Sequence, residues 1–273
     1  MIMAFKLKSL AVVGALLGTL ALAGCGQEEK DPNHIKVGVI VGAEQQVAEA
    51  AAKVAKDKYG LDVELVTFND YVLPNEALSK GDIDLNAFQH KPYLDQQIKD
   101  RGYKLVSVGN TFVYPIAGYS RKIKNLDDLQ PGSQVAVPND PTNLGRSLLL
   151  LQKVGLIKLK DDIGLLPTVL DVTENPKNLK LVELEAPQLP RSLDDDQIAL
   201  AVINTTYASQ IDLTPAKDGI FVEDKDSPYV NLLVTREDNK DAENVKKFVQ
   251  AYQSEEVNAE ANKVFNGGAV KGW

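Results

Sequence analysis

Three groups of residues in this chain have types and spacings that suit chemistry. The first is the stretch Val137-Pro138-Asn139-Asp140-Pro141-Thr142-Asn143-Leu144-Gly145-Arg146. Asp140 before Pro141 is a good cap and first-turn pair, because proline's missing N–H would have no intrahelical partner at that position anyway. A helix is therefore predicted to begin there, with free N–H groups that suit an anion and with Arg146 offering a bidentate fork to a carboxylate. The dipole is worth only about 0.3–1 kcal/mol, so the arginine would supply most of the discrimination. The competing reading is an ordinary capped helix whose Arg146 pairs with a surface acid. The second group is Tyr71 with Phe88, His90 and Tyr93. Side chains alternate along an extended segment, so Phe88 and His90 share a face and build an aromatic wall. Such rings suit an apolar or thioether side chain, each sulfur–aromatic contact contributing about 0.3–1.5 kcal/mol. Alternatively, the rings fill a core and His90 is structural. Third, Asn204 and Asn231 each donate and accept hydrogen bonds and could hold a zwitterionic head, or could simply occupy a turn and a strand edge.

Catalysis finds no comparable support. The chain has no G-x-S-x-G, Walker A, G-x-G-x-x-G or H-E-x-x-H pattern. Its two histidines, His34 and His90, are too few for a His-rich transition-metal site, and Asp194-Asp195-Asp196 lacks the spacing of a calcium loop. No catalytic residue, metal ligand or cofactor is expected. With 38 acidic against 30 basic residues and a net charge of −8, the chain also lacks the clustered basic surface that nucleic acids require.

The elements that must position these groups alternate strand and helix. Ile35 to Val41 is a short apolar run that reads as a strand covered on both faces. Val47, Ala51, Val54 and Ala55 recur at helical spacing before Gly60, and Leu61, Val63 and Leu65 alternate with acids in a following strand. Further expectations are a helix over 75–80, a strand over 83–88, a helix over 93–101, extended segments over 103–108 and 112–119, and a strand over 134–137. A leucine-rich helix over 144–154, strands over 179–184 and 198–203, an extended return over 228–235 and a last helix over 242–252 complete the reading. The predicted class is α/β, with two lobes: residues 35–115 in lobe 1, 116–225 in lobe 2, and 226–273 returning to lobe 1. Two lobes joined by two extended crossings make a cleft suited to a small ligand.

The start of the chain explains its lone cysteine. Residues 1–24 read as a secretory leader, with Lys6 and Lys8 at the positive end and an uncharged run of 15 residues from Leu10 to Gly24, shorter than the roughly 20 needed to span a bilayer. The run closes as Leu22-Ala23-Gly24-Cys25, which resembles the lipobox of bacterial lipoproteins and makes Cys25 the predicted lipid-bearing anchor, with 25–34 as tether. Losing the two leader lysines takes the charge from −8 to −10.

Four stretches, Ile35-Lys36-Val37-Gly38-Val39, Phe88-Gln89-His90-Lys91-Pro92-Tyr93-Leu94, the segment from Pro138 to Arg146, and Tyr229-Val230-Asn231, closely resemble the NlpA lipoprotein family, over essentially the full chain. The resemblance implies a two-lobed, type II-like periplasmic-binding-protein fold and bound methionine, L and D. It also implies delivery to a membrane ABC importer with permease and ATPase subunits, by a protein lipid-anchored to the cell membrane and facing the periplasm. By the matching motifs, Tyr71, Phe88, His90 and Tyr93 would line the side-chain pocket and Arg146, Asn204 and Asn231 would hold the amino-acid head. The rival readings are a receptor for another small amino acid or peptide derivative, and a tethered enzyme, which would need a catalytic pair in the cleft.

Overall fold

A computed structural model describes residues 31–273; the leader at 1–24, Cys25 and the tether as far as residue 30 lie outside the described residues. The first half of lobe 1 comprises β1 (His34–Ile40), α1 (Ala43–Tyr59), β2 (Asp62–Phe68), α2 (Leu73–Lys80), β3 (Leu85–His90), α3 (Lys91–Arg101) and β4 (Leu105–Val113). Strand β1 lies between β2 and β3, parallel to both. Ile35, Val37, Val39 and Ile40 are fully buried, as a strand covered on both faces requires. Each of the first three helices stops at a glycine in the left-handed region, Gly60, Gly81 and Gly102, where a side chain would be strained.

Lobe 2 follows with β5 (Ala117–Tyr119), β6 (Gln134–Pro138), α4 (Pro141–Lys153), β7 (Lys158–Leu159), β8 (Val172–Glu174), β9 (Lys180–Leu184), α5 (Leu189–Ser192), β10 (Ile198–Ile203), α6 (Thr205–Ala208), α7 (Pro215–Asp218) and β11 (Phe221–Val222). Its sheet runs β11-β5-β10-β6-β9, with β6 parallel to both neighbours and β5 antiparallel to β10 and β11. Leu144, Leu148 and Leu151 of α4 pack on Val135, Val137, Leu200 and Val202 of this sheet.

The chain then returns as β12 (Val230–Arg236), α8 (Glu243–Tyr252), α9 (Glu255–Val264) and β13 (Val270–Lys271). Strand β12 inserts between β3 and β4, antiparallel to both, giving a first sheet in the order β13-β4-β12-β3-β1-β2. Helices α8 and α9 pack on α1 through Val245, Phe248, Val257 and Ala261. The two crossings run side by side, the backbone N–H of Glu223 donating to the carbonyl of Ile116 at 2.9 Å. A further apolar cluster spans the lobes: Ile40, Phe88 and Tyr93 meet Ala117, Tyr119, Ala136, Leu189, Ile203 and Tyr207.

Some boundaries differ from the sequence reading. Strand β3 lies two residues later than expected, because Ile83 packs with Leu78 and Leu94 in a satellite cluster ahead of the strand, and the apolar/polar alternation from Ile83 to Ala87 runs across the strand start without marking it. Helices α2 and α3 begin two residues early, each taking its proline into the first turn. Helix α9 was not anticipated. It buries only Val257 and Ala261, too thin an apolar stripe to stand out.

Candidate functional site

Three strands end at the same gap. Strand β3 ends at His90, β6 at Pro138 and β10 at Ile203, and each is followed by a helix that starts at the gap: the His90 side chain caps α3, the Asp140 side chain caps α4, and Asn204 precedes α6 without a side-chain cap. Carboxyl ends of parallel strands are where an open α/β sheet leaves a crevice. The cavity there is lined by Tyr71, Phe88, His90, Tyr93, Arg146, Asn204 and Asn231, all seven residues singled out from the sequence, together with Gln89, Tyr114, Asn143, Thr205 and Thr206.

One side is aromatic. Tyr71 stacks on Phe88 with ring centroids 5.9 Å apart, Tyr93 meets Phe88 edge-on at 6.0 Å, and Tyr207 approaches Tyr71 at 5.0 Å. The Tyr93 hydroxyl donates to the Tyr71 carbonyl at 2.7 Å, which fixes the Tyr93 ring and leaves its face to the cavity. Gln89 closes a buried amide cluster with Asn75 and Asn86 that ties the end of β3 to α2.

The other side is polar, and its hydrogen bonds run in a defined direction. His90 Nδ1 accepts from the backbone N–H of Tyr93 at 3.1 Å, so the ring proton sits on Nε2, which donates to Asn143 Oδ1 at 3.2 Å. Burial, with the Arg146 cation nearby, pushes the His90 pKa down to about 3, so the imidazole is neutral. Asn143 is itself oriented by Asp140, whose carboxylate accepts from its side-chain nitrogen at 2.9 Å. Its Oδ1 accepts a second bond, from Asn204 Nδ2 at 2.8 Å. That leaves Asn204 Oδ1 buried with no hydrogen-bond partner, an acceptor awaiting a donor. Asn231 similarly spends its Nδ2 on the Phe88 carbonyl at 3.1 Å. Behind the pocket, the Thr206 hydroxyl donates to Glu44, a buried carboxyl whose pKa burial raises to about 8.

Arg146 differs from the sequence expectation of an open fork. Its Nε donates to Glu223 Oε1 at 2.9 Å, and Nη2 donates to Glu223 Oε2 and, at 3.0 Å, to the Tyr114 carbonyl. The partner is a largely buried acid on the second crossing, remote in sequence, so periodicity could not reveal it. Nη1 remains for a ligand. Asn143, Thr205 and Thr206 were missed as lining residues although they lie inside or beside the stretches read from the sequence; Tyr114 carries no local signal. Among the described residues no group of three or more His, Cys, Asp or Glu side chains could hold a metal ion.

A two-lobed α/β fold with a closed pocket at the lobe interface, offering one cationic donor, neutral acceptors and an aromatic wall, defines a substrate-binding protein of the periplasmic type. The chain belongs to the NlpA lipoprotein family, whose model matches residues 35–273. Its relatives include the D-methionine-binding lipoprotein MetQ of Escherichia coli (strain K12), 89% identical over 271 residues that cover 99% of this chain and 100% of the relative. Among solved structures, that of the methionine binding protein MetQ shares 91% identity at a TM-score of 0.88, covering 89% of this chain and 99% of that one. A nutrient binding protein from Burkholderia cenocepacia, solved bound to methionine, shares 52% identity at a TM-score of 0.85, covering 88% of this chain and 100% of that one.

Proposed function

We propose that this chain is a lipid-anchored substrate-binding protein that captures methionine, L or D, and delivers it to an ABC importer of permease and ATPase subunits. The observation that carries the reading is the pairing, in one closed cavity, of the Tyr71–Phe88–Tyr93 wall with the unpartnered Asn204 Oδ1 and the remaining Nη1 edge of Arg146. The ligand's thioether lies against the rings, its carboxylate on Arg146, and its ammonium on the side-chain oxygens of Asn204 and Asn231. Neutral His90 donates into this network without adding a charge. The methionine-binding relatives support the same ligand. A ligand of about nine heavy atoms, at a ceiling of about −1.5 kcal/mol per atom, reaches nanomolar affinity when the pocket closes over it. The proposed role is capture and release, with no chemical step, so methionine leaves unchanged. Cys25 anchors the protein at the periplasmic face of the membrane.

Calorimetry with L- and D-methionine tests the pocket. Arg146→Ala and Asn231→Ala should each weaken binding by at least about 1.4 kcal/mol, a tenfold step; unchanged affinity in both would reject the assignment. Native mass spectrometry should show methionine co-purifying, and Cys25→Ser should release the protein from the membrane fraction.

A further inference from the structure

The Arg146 guanidinium meets both crossings and the pocket at once. It donates to the Tyr114 carbonyl on the first crossing and to both Glu223 oxygens on the second, and its Cζ lies 4.4 Å over the ring of Tyr229, where the second crossing re-enters lobe 1. The pair is nearly dry, with side-chain exposures of 3% for Arg146 and 13% for Glu223. Glu223 does not line the cavity; it is held from behind by the Ser227 hydroxyl and the Ile116 N–H, both at 3.4 Å. Of the other ionisable groups around the cavity, His90 is neutral and Glu44 keeps its proton, while the Asp140 carboxylate, which accepts from the α4 cap and from the Asn143 and Thr142 side chains, adds negative charge beside the Tyr71 and Tyr93 wall and so disfavours an anion in the same sense.

The charge of Arg146 is therefore cancelled before any ligand arrives. An unbalanced buried guanidinium would favour any anion, whereas a balanced one disfavours bringing net charge into a closed, weakly polarisable site. A monoanion would place two carboxylates on one guanidinium with no cation to offset the second. We propose that Glu223 is a specificity-determining residue: by holding the Nε–Nη2 edge of Arg146 and cancelling its charge, it restricts the head site to a carboxylate borne by a molecule with no net charge. The assignment rests on the reading of the cavity as an amino-acid pocket, and it makes a zwitterion the class of ligand selected, by exclusion of anions as well as by attraction.

The test is a calorimetric comparison, on the full chain in detergent, of three nearly isosteric ligands: methionine, its 2-hydroxy analogue (a monoanion) and methioninol (a monocation). The unaltered protein should bind methionine at least about tenfold more tightly than either analogue. In Glu223→Gln the hydroxy acid should gain on methionine by at least about tenfold, and methioninol should fall further behind. Equal weakening of all three ligands would mean that Glu223 serves only the fold, and would overturn the proposal while leaving the methionine reading intact. If Glu223→Gln fails to fold, the unaltered protein decides: hydroxy-acid binding as tight as methionine overturns the proposal. Failure of the unaltered protein to bind methionine would overturn the underlying reading and this assignment with it.

Discussion

At the scale of single residues, the head site depends on two buried groups held in their uncharged forms. Unfolded, a histidine titrates near 6.5, but His90 in the fold titrates near 3, so between those values the unfolded chain binds more protons and stability rises with pH. Glu44 runs the other way. Its folded pKa of about 8 lies above the ordinary 4.5, so its contribution is fully present below pH 4.5 and is lost as pH rises towards 8. The two slopes oppose each other between 4.5 and 6.5, and these groups should place maximum stability there. Thermal unfolding followed from pH 4 to pH 9 checks this: Glu44→Gln should flatten the alkaline limb and leave the acid limb in place. Asn143 gives a second prediction. Its Oδ1 accepts from both His90 and Asn204, so Asn143→Leu strands two buried donors, at about 1–3 kcal/mol for each unsatisfied group. Methionine affinity should fall by at least about tenfold, read by calorimetry against a circular-dichroism check of folding. Asn143 lay in plain view within the 137–146 stretch, but an asparagine near a helix start reads equally well as a local cap, and only its contacts across 53 and 61 residues give it another role.

At the scale of elements, α4 carries most of the consequence. Asp140 caps it through the Asn143 N–H at 2.9 Å and orients the Asn143 side chain as well. Asp140→Ala should therefore cost about 0.5–2 kcal/mol of stability, measured by chemical denaturation, and also weaken methionine binding. A capping residue without this second duty would show the first effect alone. Gly145 sits where α4 passes the 165–167 loop, and a Cβ there would stand 2.4 Å from the Leu165 carbonyl oxygen. Gly145→Ala should destabilise the fold by about 1–3 kcal/mol in spite of alanine's better helix propensity, because a backbone carbonyl cannot swing aside. The start of α4 was legible in the sequence, since Asp-Pro is a local signal. The packing requirement at Gly145 was not, since the atom that imposes it lies twenty residues away.

At the scale of the whole molecule, the closed arrangement is held by contacts between lobes as well as by the crossings. Thr206 bonds Glu44, the Tyr207 hydroxyl donates to the Asn69 carbonyl at 3.3 Å, and Gln210 Nε2 donates to the Val41 carbonyl at 2.9 Å. A ligand that binds only this state stabilises it by mass action, about 2.7 kcal/mol at a hundredfold excess over Kd. Methionine should accordingly raise the unfolding temperature in a concentration-dependent way, and Thr206→Val, which removes the hydroxyl from Glu44, should reduce the methionine affinity more than the stability of the ligand-free protein. A thermal shift series on both proteins measures the two effects together.

The sequence by itself determined the alternation of strand and helix, the buried first strand, the capped start of α4 and the residue types of the pocket, because periodicity, capping and side-chain chemistry are local properties of the chain. It could show that Arg146, Asn204 and Asn231 suit a zwitterion, but not which of their edges are free. Tertiary structure alone decided that, by bringing Glu223 onto Arg146 from 77 residues away and Asn204 onto Asn143 from 61. Hydrogen-bond capacity is a property of each residue, but what remains of it for a ligand is set only after distant neighbours have taken their share.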